Sequence, residues 1–325
     1  MTGSAGFIGY HLCRDLLSFG HQVIGIDNHN RDYHTSLKEK NTTELQKFKN
    51  FEFIKLNIVN EGFSSILNGR KVDYVVHLAA KDLYYDKHDK IEYSPYLETN
   101  VVGTANIFEL AKILAAKKFI FASTHSVYGV TKKGVFTEKD LIPRPISPHG
   151  ASKLAAEQVV HFMSNFYELP AVVLRIFSTY GPGMRPHTLI PHIIDRLQED
   201  RPLGLYADEN QKRDYIYIDD VVEAIKAAFN KRIKFQAINI AGGDVISIRD
   251  LAIKIADLLG KNNLELAIER SEKDFSKVVV QHVNADVSRA KKILKFTPQV
   301  GLDAGLKKTV DWYLSHPDIL KLSAP

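Results

Sequence analysis

The residues with the plainest chemical use stand at the start of the chain. Gly3, Gly6 and Gly9 recur at every third position in Gly3-Ser4-Ala5-Gly6-Phe7-Ile8-Gly9, and the apolar spacing from Tyr10 to Leu17 predicts a helix directly after them. Glycine permits a tight turn and a close backbone approach, and the N–H groups at a helix start meet the charge of a pyrophosphate. The next strand reads Val23-Ile24-Gly25-Ile26 and ends on Asp27. A carboxylate there accepts hydrogen bonds from a ribose diol and repels a 2′-phosphate. Together these features predict a dinucleotide site that takes NAD rather than NADP. A glycine turn of purely structural use is the competing reading, and the strand and carboxylate that follow argue against it. His187 and His192 are five apart and share no helix face, and no histidine–glutamate spacing suggests a metal site.

The elements that must hold this site follow from short β-branched runs alternating with helical spacing. Strands are predicted over 22–27, 51–56, 74–78, 119–123 and 171–177, with helices over 96–116 and 151–165. Right-handed crossovers between parallel strands give a doubly wound α/β sheet of Rossmann type. After Tyr180, Gly181-Pro182-Gly183 breaks the pattern and the elements become less regular, as expected of a smaller α/β substrate domain. The predicted partition is 1–181 for the dinucleotide domain, with 214–241 returning to it, and 182–213 with 242–325 for the substrate domain. Ser247-Ile248-Arg249-Asp250 reads as a capping box opening a helix to about residue 259, and 300–315 as a terminal amphipathic helix.

Composition narrows the function classes. The chain of 325 residues is 45% hydrophobic, and its net charge of +5 comes from 43 basic and 38 acidic residues without a basic block, which argues against nucleic acid as a partner. One cysteine, Cys13, excludes an internal disulfide framework and suits a reducing cytoplasm. No apolar run is long enough to cross a bilayer.

The glycine turn, Val76-His77-Leu78-Ala79-Ala80, Ser126-Val127-Tyr128-Gly129 and Arg213-Asp214-Tyr215-Ile216-Tyr217-Ile218-Asp219-Asp220 occur in that order, and with them the sequence resembles the extended short-chain dehydrogenase/reductase family. Asp27-Asn28-His29-Asn30-Arg31-Asp32-Tyr33-His34, Leu37-Lys38-Glu39 and Gly181-Pro182-Gly183-Met184-Arg185-Pro186 resemble its UDP-glucuronate 4-epimerase group. The resemblance implies NAD as cofactor, a UDP-sugar as substrate, C4 epimerisation through a 4-keto sugar, and a homodimer built on the helices around 96–116 and 151–165. It places Gly3, Gly6, Phe7, Ile8, Gly9, Asp27, Asn28, Asn57, Ile58, Leu78, Ala79, Ala80 and Lys153 around the cofactor. It places Thr124, Ser126, Ser178, Arg185, Thr188, Leu189 and Arg213 around the sugar nucleotide, with Arg213 toward the diphosphate and Arg185 toward a hexuronate carboxylate. His125 and Ser126 stand where related dehydratases carry an acidic pair, which disfavours dehydration. His77 reads as a packed strand-end histidine, Asn100 as a structural tie between helix and strand, and the Tyr128 hydroxyl as a group that could lie near the sugar.

Four features depart from that pattern. Thr124 and Lys153 fall on the family's serine/threonine and lysine positions, but its tyrosine position is His149. Three outcomes stay open for His149: a neutral imidazole working as base, a residue altered to trap a complex, or a protein that binds without turnover. Inactivity is weighted ahead of a working histidine. The chain also starts at Met1-Thr2-Gly3, where the fold needs a whole apolar strand before the glycine turn, so a truncated chain or a misplaced start is expected. Asn57 replaces an aspartate expected to face the adenine, and 81–96 is longer and more charged than the family's substrate loop. Substrate alternatives are UDP-glucose and a UDP-N-acetylhexosamine.

Overall fold

Parallel strands of mostly buried, β-branched residues form the main sheet of the computed structural model, which describes residues 1–325 except 32–33, 61–66, 68, 83–91, 131–133, 141–143, 205–208, 232, 262–265, 268–281 and 323–325. Helix α1 (Phe7–Ser18) leads to β1 (Val23–Asp27), α2 (Thr35–Leu45), β2 (Phe51–Lys55) and β3 (Tyr74–His77). Then come α3 (Ser94–Leu97), α4 (Gly103–Ile113), β4 (Lys118–Thr124), α5 (Pro148–Phe166) and β5 (Ala171–Ile176). β1 pairs with β2, and β3, β4 and β5 continue to β9 (Phe235–Ile240), every pair parallel.

Met1 and Thr2 join these two groups of strands. Thr2 bridges Ile26 and His77 in parallel register. Thr2 N–H donates to Val76 O at 3.0 Å, Ile26 N–H to Met1 O at 2.8 Å, and Leu78 N–H to Thr2 O at 3.3 Å. The terminal ammonium donates to Ile24 O at 2.7 Å. Met1 and Thr2 thus bridge the two groups of strands at the end of the sheet where the glycine turn begins. The strand order reverses on either side of this bridge, which opens a crevice above the carboxyl ends of the strands.

The remaining elements are β6 (Ser178–Tyr180), α6 (Leu189–Gln198), β7 (Leu203–Gly204), β8 (Lys212–Tyr217), α7 (Ile218–Phe229), β10 (Asp244–Ser247), α8 (Ile248–Leu258), β11 (Leu266–Ala267), α9 (Leu302–Ser315) and α10 (Pro317–Leu320). β8 pairs with both β6 and β10 in a small sheet, and β7 pairs with β11. A separate apolar cluster holds this part together, with Ile193, Leu203, Leu251, Ile255, Leu306 and Tyr313 at its centre. Ser247 caps α8: its Oγ accepts from Asp250 N at 3.0 Å and donates to Asp250 Oδ2 at 2.6 Å.

Two predicted helices change in detail. The expected helix over 96–116 is α3 and α4 joined by a π-helical turn, Glu98–Val102, with Asn100 fully buried inside it. The wider turn lets the Asn100 amide reach outward, where Nδ2 donates to Lys81 O at 2.9 Å and to Ser152 Oγ at 2.8 Å, and Oδ1 accepts from Lys81 N at 2.7 Å. The expected helix over 151–165 starts earlier, at Pro148, because Ser147 is its N-cap and bonds Gly150 N at 3.1 Å. Proline at the first helical position is preset for the helix. That shift brings His149 into the first turn.

Candidate active site

One cleft of about 520 Å³ lies at the switch of strand order. Its cofactor side is made by the turn at Gly3 and the start of α1. Gly3 has φ +70°, and a Cβ there would stand 2.7 Å from Ala79 N. A Cβ on Gly9 would stand 2.0 Å from the Gly3 carbonyl. The turn therefore admits only glycine at these two places, and it lays the open N-terminus of α1 against the cleft. Asp27 closes the far side. Its Oδ2 accepts from Ala5 N at 3.1 Å and its Oδ1 from His29 N at 2.9 Å, so backbone donors fix its orientation. Gly6, Phe7, Ile8, Asn28, Asn57, Ile58, Leu78, Ala79 and Ala80 line the same cleft. A backbone cradle, a helix start and a carboxylate at this spacing fit a dinucleotide.

The catalytic side draws on three elements. Thr124 ends β4; its Oγ1 accepts from Ser126 N at 3.2 Å and donates to Ser126 Oγ at 3.3 Å. His149 lies in the first turn of α5, and its Nδ1 is 3.0 Å from the Lys81 carbonyl. A carbonyl can only accept, so Nδ1 carries the proton and the neutral ring keeps its lone pair on Nε2. Burial lowers the His149 pKa, Asp82 opposes that shift, and Lys153 and Arg185 add to it. Lys153 follows one turn later, and its ammonium lies 4.0 Å from the centroid of the Phe121 ring. Burial pushes its pKa down to about 7, with Glu157 and Asp82 opposing.

Glu157 holds this helix to the sheet. It accepts from Ser123 Oγ at 2.5 Å and from Arg175 Nη2 at 2.7 Å, with both partners buried. The Asn100 side chain, by fixing both polar atoms of Lys81, also fixes the carbonyl that orients His149.

On the sugar side, Thr124, Ser126, Arg185, Thr188 and Arg213 line the cleft. Ser178 and Leu189 do not. Ser178 lies in the β6–β8 pairing opposite Tyr215, and its neighbour Thr179 takes the lining position. Leu189 opens α6 and packs on the apolar cluster below, leaving Thr188 to face the cleft. Tyr128 also turns away from the sugar, since its hydroxyl donates to Asn239 Oδ1 at 2.6 Å and its ring stacks on Phe136. His77 is packed, as expected, between Thr2 Oγ1 at 2.6 Å and Thr104 Oγ1 at 3.0 Å. Among the described residues no group of three metal-ligating side chains occurs.

Sequence reasoning missed Asp82, Asn30 and Lys38, which line the cleft as well. Lys38 is buried, and its Nζ donates to Asn30 O at 3.0 Å. Its place in the Leu37-Lys38-Glu39 motif was the available signal. Asp82 had none, because it stands at the start of the unpatterned stretch 81–96. Asp32 and Tyr33 of the β1–α2 loop and most of that stretch, 83–91, lie outside the described residues.

A buried imidazole with a fixed tautomer, a neighbouring hydroxyl and a lysine can take a proton from an alcohol beside a dinucleotide. The chain as a whole is similar to known proteins. The chain is 34% identical to a UDP-glucuronate 4-epimerase of Thermodesulfobacterium geofontis, over 99% of its own length and 97% of the relative's. It is 35% identical to an uncharacterised UDP-glucose epimerase of Bacillus subtilis, over 97% of each. The crystal structure of the UDP-glucuronic acid 4-epimerase of Bacillus cereus with UDP-glucuronic acid and NAD superposes with a TM-score of 0.87 at 34% identity, covering 97% of this chain and 98% of that one. Residues 1–241 match the NAD-dependent epimerase/dehydratase family, and the chain belongs to it.

Proposed function

We propose that the chain interconverts the C4 epimers of a UDP-sugar, UDP-glucuronate foremost, through a 4-keto intermediate, with His149 as the base. The bond from His149 Nδ1 to Lys81 O carries this reading, because it leaves Nε2 as the proton acceptor in the cleft that Thr124 and Lys153 also line. Nε2 takes the proton of the C4 hydroxyl while the Thr124 hydroxyl hydrogen-bonds the same oxygen. NAD, when bound, supplies the hydride acceptor and returns the hydride to the other face of the sugar. His149 then gives its proton back, so neither proton nor hydride is left over. A charged Lys153 keeps the imidazole neutral before the transfer, and Arg213 pairs with the diphosphate through its guanidinium fork.

The hexuronate reading leans on the relatives that act on UDP-glucuronate. A neutral UDP-hexose is the second reading, and one contact favours it: Arg185 Nη2 donates to Asp82 Oδ2, so the cation nearest the sugar side already has a carboxylate. Incubation with NAD and UDP-glucuronate, followed by chromatographic separation of UDP-galacturonate, tests the activity; UDP-glucose in parallel separates the two substrates. No epimer from either, with NAD bound, overturns the enzyme reading in favour of a nucleotide-sugar binding protein. Net accumulation of NADH points to oxidation instead.

We assign 1–181 and 214–241 to the cofactor half and the rest to the substrate half. Leu97, Val102, Phe162 and Phe166 are each about half exposed or more, on the packed 94–113 segment and α5. A second copy of the chain would cover them as a four-helix contact, which sedimentation tests.

A further inference from the structure

We infer that Asp82 is a positioning residue for His149: its carboxylate faces the Nε2 edge of the ring, and it stabilises the imidazolium that forms when the sugar hydroxyl gives up its proton. The inference rests on His149 being the base. The two edges of the imidazole are met by consecutive residues beyond the end of β3, Nδ1 by the Lys81 carbonyl at 3.0 Å and Nε2 by Asp82 Oδ1 at 3.7 Å. The second contact is too long for a hydrogen bond, as expected when a neutral ring presents a lone pair to a carboxylate. Once Nε2 holds a proton, the same geometry becomes attractive. The interaction is thus stronger after proton transfer than before it, which is the condition for helping the chemical step rather than substrate binding.

Two features keep Asp82 where it is. Its other oxygen, Oδ2, accepts from Arg185 Nη2, from the loop that follows β6. The preceding residue, Lys81, is held by Asn100 at both its backbone N–H and its carbonyl. His149 itself is buried, so water screens the pair from one side only. Among the described residues, the charged and titratable groups acting on the ring are Asp82, Lys153 on its own helix, Arg185, and His125 at the end of β4. Asp82 is the one anion in that set. The phenol for which this histidine stands would gain nothing from such a neighbour, because a carboxylate opposes formation of a phenolate, whereas an imidazole becomes a cation and gains from it.

The test is Asp82→Asn in the NAD-bound chain, read in two ways. NMR titration of the His149 ring, assigned by its loss in His149→Phe, reads the coupling without turnover: the midpoint is expected to move to lower pH. The pH–rate profile at saturating UDP-sugar reads its use: the acidic limb moves to lower pH with the titration, while the plateau kcat falls about tenfold, a weaker base being easier to keep neutral and poorer at taking a proton. Asp82→Glu restores both. An unchanged His149 titration in Asp82→Asn overturns the inference whatever the rates do, and a shifted titration with an unchanged plateau overturns its catalytic part. A wild-type chain without turnover instead overturns the proposed function, and the titration then decides the pairing alone.

Discussion

The cofactor side of the cleft is walled by backbone, with Gly3, Gly6 and Gly9 in one short turn and a carboxylate held by two N–H donors. The catalytic side is walled by side chains brought from the ends of β3, β4 and β6 and the first turn of α5. A site made of backbone needs particular residues at fixed spacing in one stretch, so it tolerates little change and reads directly. A site made of side chains needs only a set of functional groups in space, and one of them can be exchanged if its neighbours change to suit. On the proposed function, His149 and Asp82 are such a pair.

The hardest blow to the catalytic side is His149→Phe. Loss of a general base costs about 10²–10⁴-fold in kcat. NAD affinity by calorimetry should stay within a few-fold of the wild type. Activity that survives the change would move the base elsewhere and dissolve the contrast between the two walls.

The matching blow to the cofactor side is Gly9→Ala. The added Cβ has no room against the Gly3 carbonyl, and overpacking of about 1–3 kcal/mol corresponds to a roughly 5- to 150-fold loss of NAD affinity. The His149 titration should not move. A smaller change on the same wall is Asp27→Asn, which removes the charge and gives up one of the two bonds from Ala5 N and His29 N, because an amide offers a single acceptor oxygen. NADP should gain on NAD by about tenfold, since the repulsion of a 2′-phosphate is what the charge supplies.

How far the sequence could be read follows the same division. The glycine turn, Asp27, the strands of the parallel sheet and the Ser247 cap were legible because each depends on local spacing. The bridging part of Thr2, which bonds Val76 and Leu78 through its backbone, was not, because no pattern of side chains announces it. The π-helical turn at Asn100 was hidden for a related reason, since one added residue in a turn leaves the apolar spacing on either side intact. On the sugar side, Thr188 and Arg213 followed from motifs. Thr179 rather than Ser178, and Thr188 but not the Leu189 named with it, line the cleft, because alternation in a short strand and the start of a helix decide which of two neighbours faces it. Asp82 carried no motif at all, and its meaning depends on a histidine 67 residues away in sequence.

The smallest expected effect concerns stability, and it asks whether the catalytic wall is held under electrostatic strain. Lys153 is 2% exposed, and its pKa falls to about 7 because burial disfavours the charged form more than Glu157 and Asp82 favour it. A lysine with a lowered folded pKa destabilises the fold most where both states are protonated, below pH 7. The penalty shrinks as pH rises from there toward the ordinary lysine value of 10.5, because over that window the unfolded chain binds the extra proton. Lys153→Met keeps the length of the side chain and removes the charge. It should stabilise the chain by about 1 kcal/mol at pH 6, within the range seen when buried ions give way to apolar groups, while removing most of the turnover. Thermal melts at pH 6 and pH 9 check this: the variant's advantage should be larger at pH 6. An advantage that grows toward pH 9 would mean that the cation is welcome in the folded chain, and the wall around His149 would then be as relaxed as the glycine cradle opposite.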